Sequence, residues 1–241
     1  MNTRKLETIK PRMIAHRGVS GLERENTCAA FVAAGNRSYF GIETDVHRTA
    51  DGQYVIIHDD TTTRVAGVEL TVEETDMATL RSLRLTDVGT ELPRGDLCLP
   101  ALEEYISICK KYEKTAVLEL KNRMPDESVW EIVEIVRACG WLEKTIFISF
   151  KLDNLIALRA KYPEQPAQYL LSKIEDPDAL LETLTTYRLD LDVKHTALTH
   201  EVVEAIHAAG LEVNVWTVDA LEDAARVIAM GVDYITSNIL E

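Results

Sequence analysis

The sequence predicts an α/β protein built as a closed (β/α)8 TIM barrel, and three observations predict it. Short apolar runs alternate with helical patterns along most of the chain. Nine such runs can be counted, and the third must be antiparallel because a tight Asp51-Gly52 turn precedes it, which leaves eight strands joined by helices. Polar side chains gather where those strands end, and strand ends are where barrel and open-sheet proteins keep their chemistry.

After a charged leader, MNTRKLETIKPRM, Met13 to Ala15 reads as a short buried strand ending at His16. A loop with two glycines leads to a helix capped by Asn26 or Thr27, which runs through CAAFVAA to a stop at Gly35. Tyr39 to Val46 is the second strand, and Tyr54 to His58 returns antiparallel after the turn. A two-residue turn there pairs Asp45 with His58, their Cβ atoms roughly 4.5 to 5.5 Å apart. Glu43 shares that face, two positions back.

From about residue 60 to 98 the pattern weakens to a Thr run, one helical piece (Met77 to Leu83, capped by Thr75) and a polar loop with Gly89, Pro93 and Gly95. That is too long for an ordinary connection and reads as a small insertion over the barrel mouth. A regular alternation follows: helix Ala101 to Tyr112, strand Thr115 to Leu120, helix Glu127 to Cys139, strand Thr145 to Ser149, helix Leu152 to Tyr162 and strand Ala167 to Leu171. Helix Asp176 to Tyr187, strand Leu189 to Val193, helix His200 to Ala209 (capped by Thr199), strand Glu212 to Val218, helix Leu221 to Met230 and strand Asp233 to Thr236 complete it. Residues 1–241 are therefore expected to form a single TIM-barrel catalytic domain.

Forty acids against 26 bases give a formal net charge of -14. Binding to nucleic acid or to an anionic membrane surface needs basic patches, so neither is expected. The four cysteines (Cys28, Cys98, Cys109, Cys139) show no C-x-x-C spacing and read as small buried hydrophobes in a reducing compartment. With no signal peptide or membrane span visible, a cytoplasmic enzyme is expected.

The strand ends carry His16 and Arg17, Glu43 and Asp45, Glu119 and Lys121, Phe150, His195, Trp216, and Ser237 with Asn238. Three carboxylates, Glu43, Asp45 and Glu119, make a hard oxygen site suited to one Mg²⁺ or Ca²⁺; zinc would favour His and Cys. Two histidines, His16 and His58, suit general acid and base work near neutral pH. Arg17 and Lys121 supply cationic donors for phosphate oxygens. Together these groups describe phosphoryl chemistry. The bland alternative for Glu119, a carboxylate inside AVLEL, is a buried ion pair with Lys121 or Arg17.

The run HRG, then ENT, E-x-D, DG and HD, with LELK, ISF, VWTV and a terminal GVDYITSN, resembles the glycerophosphodiester phosphodiesterases from Ile14 to Asn238. The resemblance implies that His16 and His58 act as acid and base, that Glu43, Asp45 and Glu119 hold a divalent metal, and that the stretch after His58 is the small insertion over the site. It implies hydrolysis of a glycerophosphodiester to glycerol 3-phosphate and an alcohol, a role in glycerol and lipid metabolism. Which histidine is acid, and whether water or a substrate hydroxyl attacks, stays open at this stage. Two positions depart from the family pattern: Arg24 stands where Pro usually precedes ENT, and Ser237 where an acid usually follows the last Thr. Trp216, at a strand end, reads as an apolar wall for the glycerol carbons. His195 divides evenly between pocket lining and structure, His47 carries no assignment, His200 and His207 read as solvated, and Glu73-Glu74 as exposed charge.

Two rival functions follow from the same residues. One is a phosphodiesterase of this barrel acting on lysophospholipids or inositol phosphodiesters, which needs an apolar entrance that the mostly polar stretch 60–98 does not offer. The other is a non-catalytic phosphodiester-binding protein, disfavoured because every expected acid-base and metal position is occupied.

Overall fold

The computed structural model describes residues 2–6, 11–90 and 92–241, so part of the charged leader lies outside the described residues. In chain order the elements are β1 (Arg12–Ala15), α1 (Cys28–Gly35), β2 (Gly41–Arg48), β3 (Tyr54–Ile56), α2 (Thr63–Ala66), α3 (Met77–Ser82), α4 (Leu102–Lys111), β4 (Thr115–Leu120) and α5 (Asp126–Ala138). They continue with β5 (Thr145–Ser149), α6 (Leu152–Lys161), β6 (Ala167–Leu171), α7 (Pro177–Tyr187), β7 (Asp190–Lys194), α8 (His200–Ala208), β8 (Val213–Trp216), α9 (Leu221–Met230) and β9 (Tyr234–Ser237). Eight parallel strands run in the order β1-β9-β8-β7-β6-β5-β4-β2, and pairing of β1 with β2 closes the ring. β3 lies outside it, antiparallel to β2 alone. This is the (β/α)8 TIM barrel with one extra strand.

Alternation along each strand sorts side chains into two environments. Ile42, Leu118, Phe147, Leu191, Val215 and Ile235 face outward into the main core with the helices. Ile14, Val117, Ile146, Ile148, Leu170 and Tyr234 fill the barrel interior. Each such side chain contributes about 1.5 to 3 kcal/mol on leaving water, so the ring is held from both faces. Helix ends follow local chemistry: Thr27 Oγ1 accepts from Ala30 N (3.2 Å) at α1, and Asp176 caps α7 ahead of Pro177.

The hairpin differs from expectation by one register step. Val46 pairs with Ile56 and Arg48 with Tyr54, so Asp45 lies opposite Ile57, whose N–H donates to Asp45 O (3.1 Å). The turn is longer than two residues. Thr49 N donates to Gln53 O, and Gly52 takes a left-handed φ of 78° that a side chain would strain. His58 therefore reaches the mouth from beyond the strand, not from across the ladder.

Between residues 60 and 98 the chain is more ordered than its sequence pattern indicates. α2 and a 3-10 turn at Val72–Glu74 precede α3, and Asp76, not Thr75, caps α3 by accepting from Thr79 N (2.8 Å). Val65, Val72, Met77, Leu80, Leu85 and Leu97 build a second small core with Val55 and Ile57 of the hairpin. Gly35 closes α1 from inside the helix, with Asn36 as its C-cap. Among the described residues no helix is long and apolar enough to cross a membrane.

Candidate active site

The mouth at the C-terminal strand ends is organised by the loop between β1 and α1. Arg17 and Gly18 both turn left-handed (φ 52° and 75°), and a Cβ on Gly18 would meet the Ala30 backbone at 2.7 Å. HRG is thus a tight turn pressed against a helix, and it aims Arg17 N at Glu43 Oε2 (2.7 Å). ENT serves the same geometry. Glu25 Oε1 accepts from Arg17 Nη1 (2.9 Å), Asn26 Nδ2 donates to Asp45 Oδ2 (2.8 Å), and Thr27 caps α1.

Glu43 and Asp45 on β2 and Glu119 on β4 bring carboxylate oxygens within 4.8 Å of one another, all buried. Lys121 Nζ lies 2.9 Å from Glu119 and 3.5 Å from Asp45, so the ion pair weighed as the bland reading of Glu119 exists alongside the cluster. Arg17 Nε stands 3.5 Å from Asp45. Burial, then the Asp45 charge, pushes Glu43 well above the usual carboxylate range, and the same two causes push Glu119 up to about 8. Burial also acts upward on Asp45, but Lys121 and Arg17 outweigh it and hold that group well below the usual range. Asp45 Oδ1 takes no hydrogen bond from any described residue, Lys121 Nζ coming no nearer than 3.5 Å. Three acids this close are short of positive charge, and an unpartnered oxygen in a hard donor set fits a divalent cation.

Both histidines use Nδ1 for a protein partner. His58 Nδ1 meets Asp59 Oδ1 (2.7 Å), and Asp59 is held by Arg64. His16 Nδ1 meets Asn238 Oδ1 (2.7 Å). Asn238 Nδ2 donates to Asp219 Oδ2 (2.6 Å), a carboxylate that can only accept, so Asn238 presents its oxygen to His16 and fixes the proton on His16 Nδ1. Burial, then Arg17, lowers His16 to about 4, and burial lowers His58. Among the described residues neither ring has a partner at Nε2.

A cavity of about 120 Å³ joins His16, Arg17, Glu43, His58 and Glu119 to Ile148, Phe150, Leu170, Asp192, Trp216 and Thr236. Of the eight residues expected at the site, only Asp45 and Lys121 are not in this lining, and both touch groups that are. His195 lies elsewhere: its Nδ1 and carbonyl take Arg226 Nη2. His47 is fully buried, with Nδ1 3.1 Å from Glu73 and Nε2 3.3 Å from His58 O. Glu73, expected to be idle surface charge, thereby ties residues 60–98 to the mouth, and Asn122 Nδ2 adds a second bond to it. Arg24 does likewise, donating to Thr86 O and Asp87 O. Ser237 Oγ donates to Asp219 (2.9 Å) and accepts from Leu240 N.

Asn26, Asp219 and Asp192 were not expected to hold or line the site, and Asn238 was placed at a strand end without a role there. The signal for Asp192 was available: in DLDV it alternates with Leu191 and Val193, which face the helices, so it must point into the barrel.

A closed parallel barrel with this polar cluster at its mouth defines a TIM-barrel enzyme. A sequence model of the glycerophosphoryl diester phosphodiesterase family matches residues 16–240, and the chain belongs to that family, a class of phosphodiester hydrolases. It is 28% identical over 231 residues to the glycerophosphodiester phosphodiesterase of Bacillus altitudinis, covering 92% of each chain. Among solved structures it resembles an Oleispira antarctica phosphodiesterase in complex with the product sn-glycerol-3-phosphate (TM-score 0.87, 29% identity, 98% of this chain and 96% of that one). It also resembles a glycerophosphodiester phosphodiesterase from Parabacteroides distasonis (TM-score 0.80, 26% identity, 99% and 94%).

Proposed function

We propose that the protein hydrolyses glycerophosphodiesters to glycerol 3-phosphate and an alcohol, using one divalent cation, Mg²⁺ or Ca²⁺, and two-histidine acid-base catalysis. The observation that carries this reading is the meeting of Glu43, Asp45 and Glu119 within 4.8 Å, with Glu43 and Glu119 lining one cavity with His16 and His58. Glu43, Asp45 and Glu119 would hold the metal, which when bound withdraws charge from the phosphate oxygens. Arg17 and Lys121 bind the same oxygens from the sides. His16, kept neutral by burial and with Nδ1 occupied, takes a proton at Nε2 from the attacking oxygen. His58, backed by Asp59, delivers a proton at Nε2 to the departing alkoxide. Trp216 and Phe150, whose rings meet edge to face at 5.6 Å, wall the glycerol carbons.

The whole chain acts as one catalytic domain in this reading, with residues 60–98 as an insertion at the mouth, held there by Arg24, Glu73 and Arg64. The test is release of glycerol 3-phosphate from glycerophosphocholine by the purified protein with Mg²⁺ or Ca²⁺. Turnover that disappears in EDTA and returns on metal addition is expected; full activity in EDTA, or no product from any glycerophosphodiester, overturns the reading.

A further inference from the structure

One wall of the cavity carries polar atoms that the proposed chemistry does not use. Asp192 on β7 is 2% exposed, lines the cavity and takes no hydrogen bond from any described residue, its Oδ1 being fully enclosed. Trp216 Nε1, on the neighbouring strand, is enclosed and unpartnered as well. Leaving such groups unmade costs about 1 to 3 kcal/mol each, so a folded protein keeps them where something else completes them. In the ring order β7 stands across the barrel from β2, which holds Glu43 and Asp45. A ligand whose phosphate sits at the carboxylate cluster would extend its other end towards Asp192.

We propose that Asp192 and Trp216 Nε1 form a hydroxyl-recognising pair for the polyol end of the substrate, and so select diesters that carry free hydroxyls beside the phosphate. An alcohol hydroxyl both donates and accepts, and this pair offers it an acceptor at Asp192 and a donor at Trp216. The carboxyl accepts whether charged or neutral. Burial, then the Glu119 charge, pushes Asp192 well above the usual range, and a neutral carboxyl costs less to enclose. Gln168 Nε2 is also unpartnered but is not part of the cavity lining.

The inference rests on the glycerophosphodiesterase reading for the identity of the polyol, so its test is a binding measurement that does not need turnover. Glycerol 3-phosphate and n-propyl phosphate, which lacks the hydroxyls, are titrated calorimetrically into the protein with Mg²⁺. The wild type should bind glycerol 3-phosphate about tenfold more tightly or better, the ratio produced by one or two hydrogen bonds. Asp192→Leu should bring the two affinities within about twofold by weakening glycerol 3-phosphate alone, and should melt no lower than the wild type because it removes an unpaired buried carboxyl. Asp192→Ser, which withdraws the carboxyl but keeps a polar group, should give the same collapse if the Leu variant does not fold. Equal affinities in the wild type, a gap that survives in either folded variant, or equal loss of both ligands overturns the proposal. Absence of diester turnover with the affinity gap intact would instead overturn the catalytic reading alone.

Discussion

The arc of the mouth built by β1, β2 and β4 carries Arg17, Glu43, Asp45, Glu119 and Lys121, whereas the arc of β5 to β8 presents Phe150, Leu170, Asp192 and Trp216. On the first arc the groups are held by opposite charges and by amide side chains, and their proximity strains their ionisation. On the second, apart from Asp192 and Trp216 Nε1, burial of carbon does the holding. The difference teaches where function is bought in this barrel: the charged arc is stable only because the apolar arc and the outer core are well filled.

That contrast can be broken from the charged side first. Removing the cation with EDTA, or substituting Asp45→Asn, should lower turnover of a glycerophosphodiester on the order of 10³-fold or more, read as initial rates with KM followed separately. A loss below tenfold would mean that the arc does not work as a metal site. His16→Ala should cost about 10² to 10⁴-fold in kcat, and a fully active variant would remove the acid-base reading. Asn238→Ala removes the acceptor that orients His16 and lies outside the cavity lining, so a fall of about 10- to 100-fold in kcat with KM nearly unchanged is expected. A rise in KM alone would make Asn238 a binding residue.

On the apolar arc, Trp216→Leu should raise KM about tenfold and leave kcat within a few-fold, because in the proposed reading it removes uniform binding, both the wall for the glycerol carbons and the Nε1 donor. The smallest effect is on stability. His16 sits near 4 in the folded chain against 6.5 unfolded, so between those values the unfolded chain holds a proton that the native state does not. Native stability contributed by this site is therefore lost as pH falls from about 6.5 to about 4 and is level outside that window. In metal-free urea titrations, His16→Ala should gain on the wild type as pH falls through the window; a difference constant with pH would show that His16 is not kept neutral by burial.

Much of the barrel was legible because its signals are local. Thr115 to Leu120, Thr145 to Ser149, Ala167 to Leu171 and Leu221 to Met230 fall at the expected limits, since apolar periodicity and flanking turn residues agree there. The hairpin register was not legible, because Asp51-Gly52 marks a turn without fixing its length. α2 and the turn at Val72–Glu74 were missed because a satellite core, not propensity, orders them. At the site, residue types announced Glu43, Asp45, Glu119, His16 and His58. The partners did not announce themselves: nothing near Asn26 in sequence points to Asp45, and Glu73 looks like any exposed acid until it faces His47.

The contact between His16 and Asn238 spans 222 positions and crosses the seam where β1 pairs with β9. His16 N donates to Ser237 O across the same seam (2.9 Å). This makes the enzyme's own turnover a clock for its folding. Pairings of such separation form late because loop closure must be paid before the contact rewards it. In refolding from urea, recovered helical signal should precede recovered activity, and the lag between the two would time the closing of the ring.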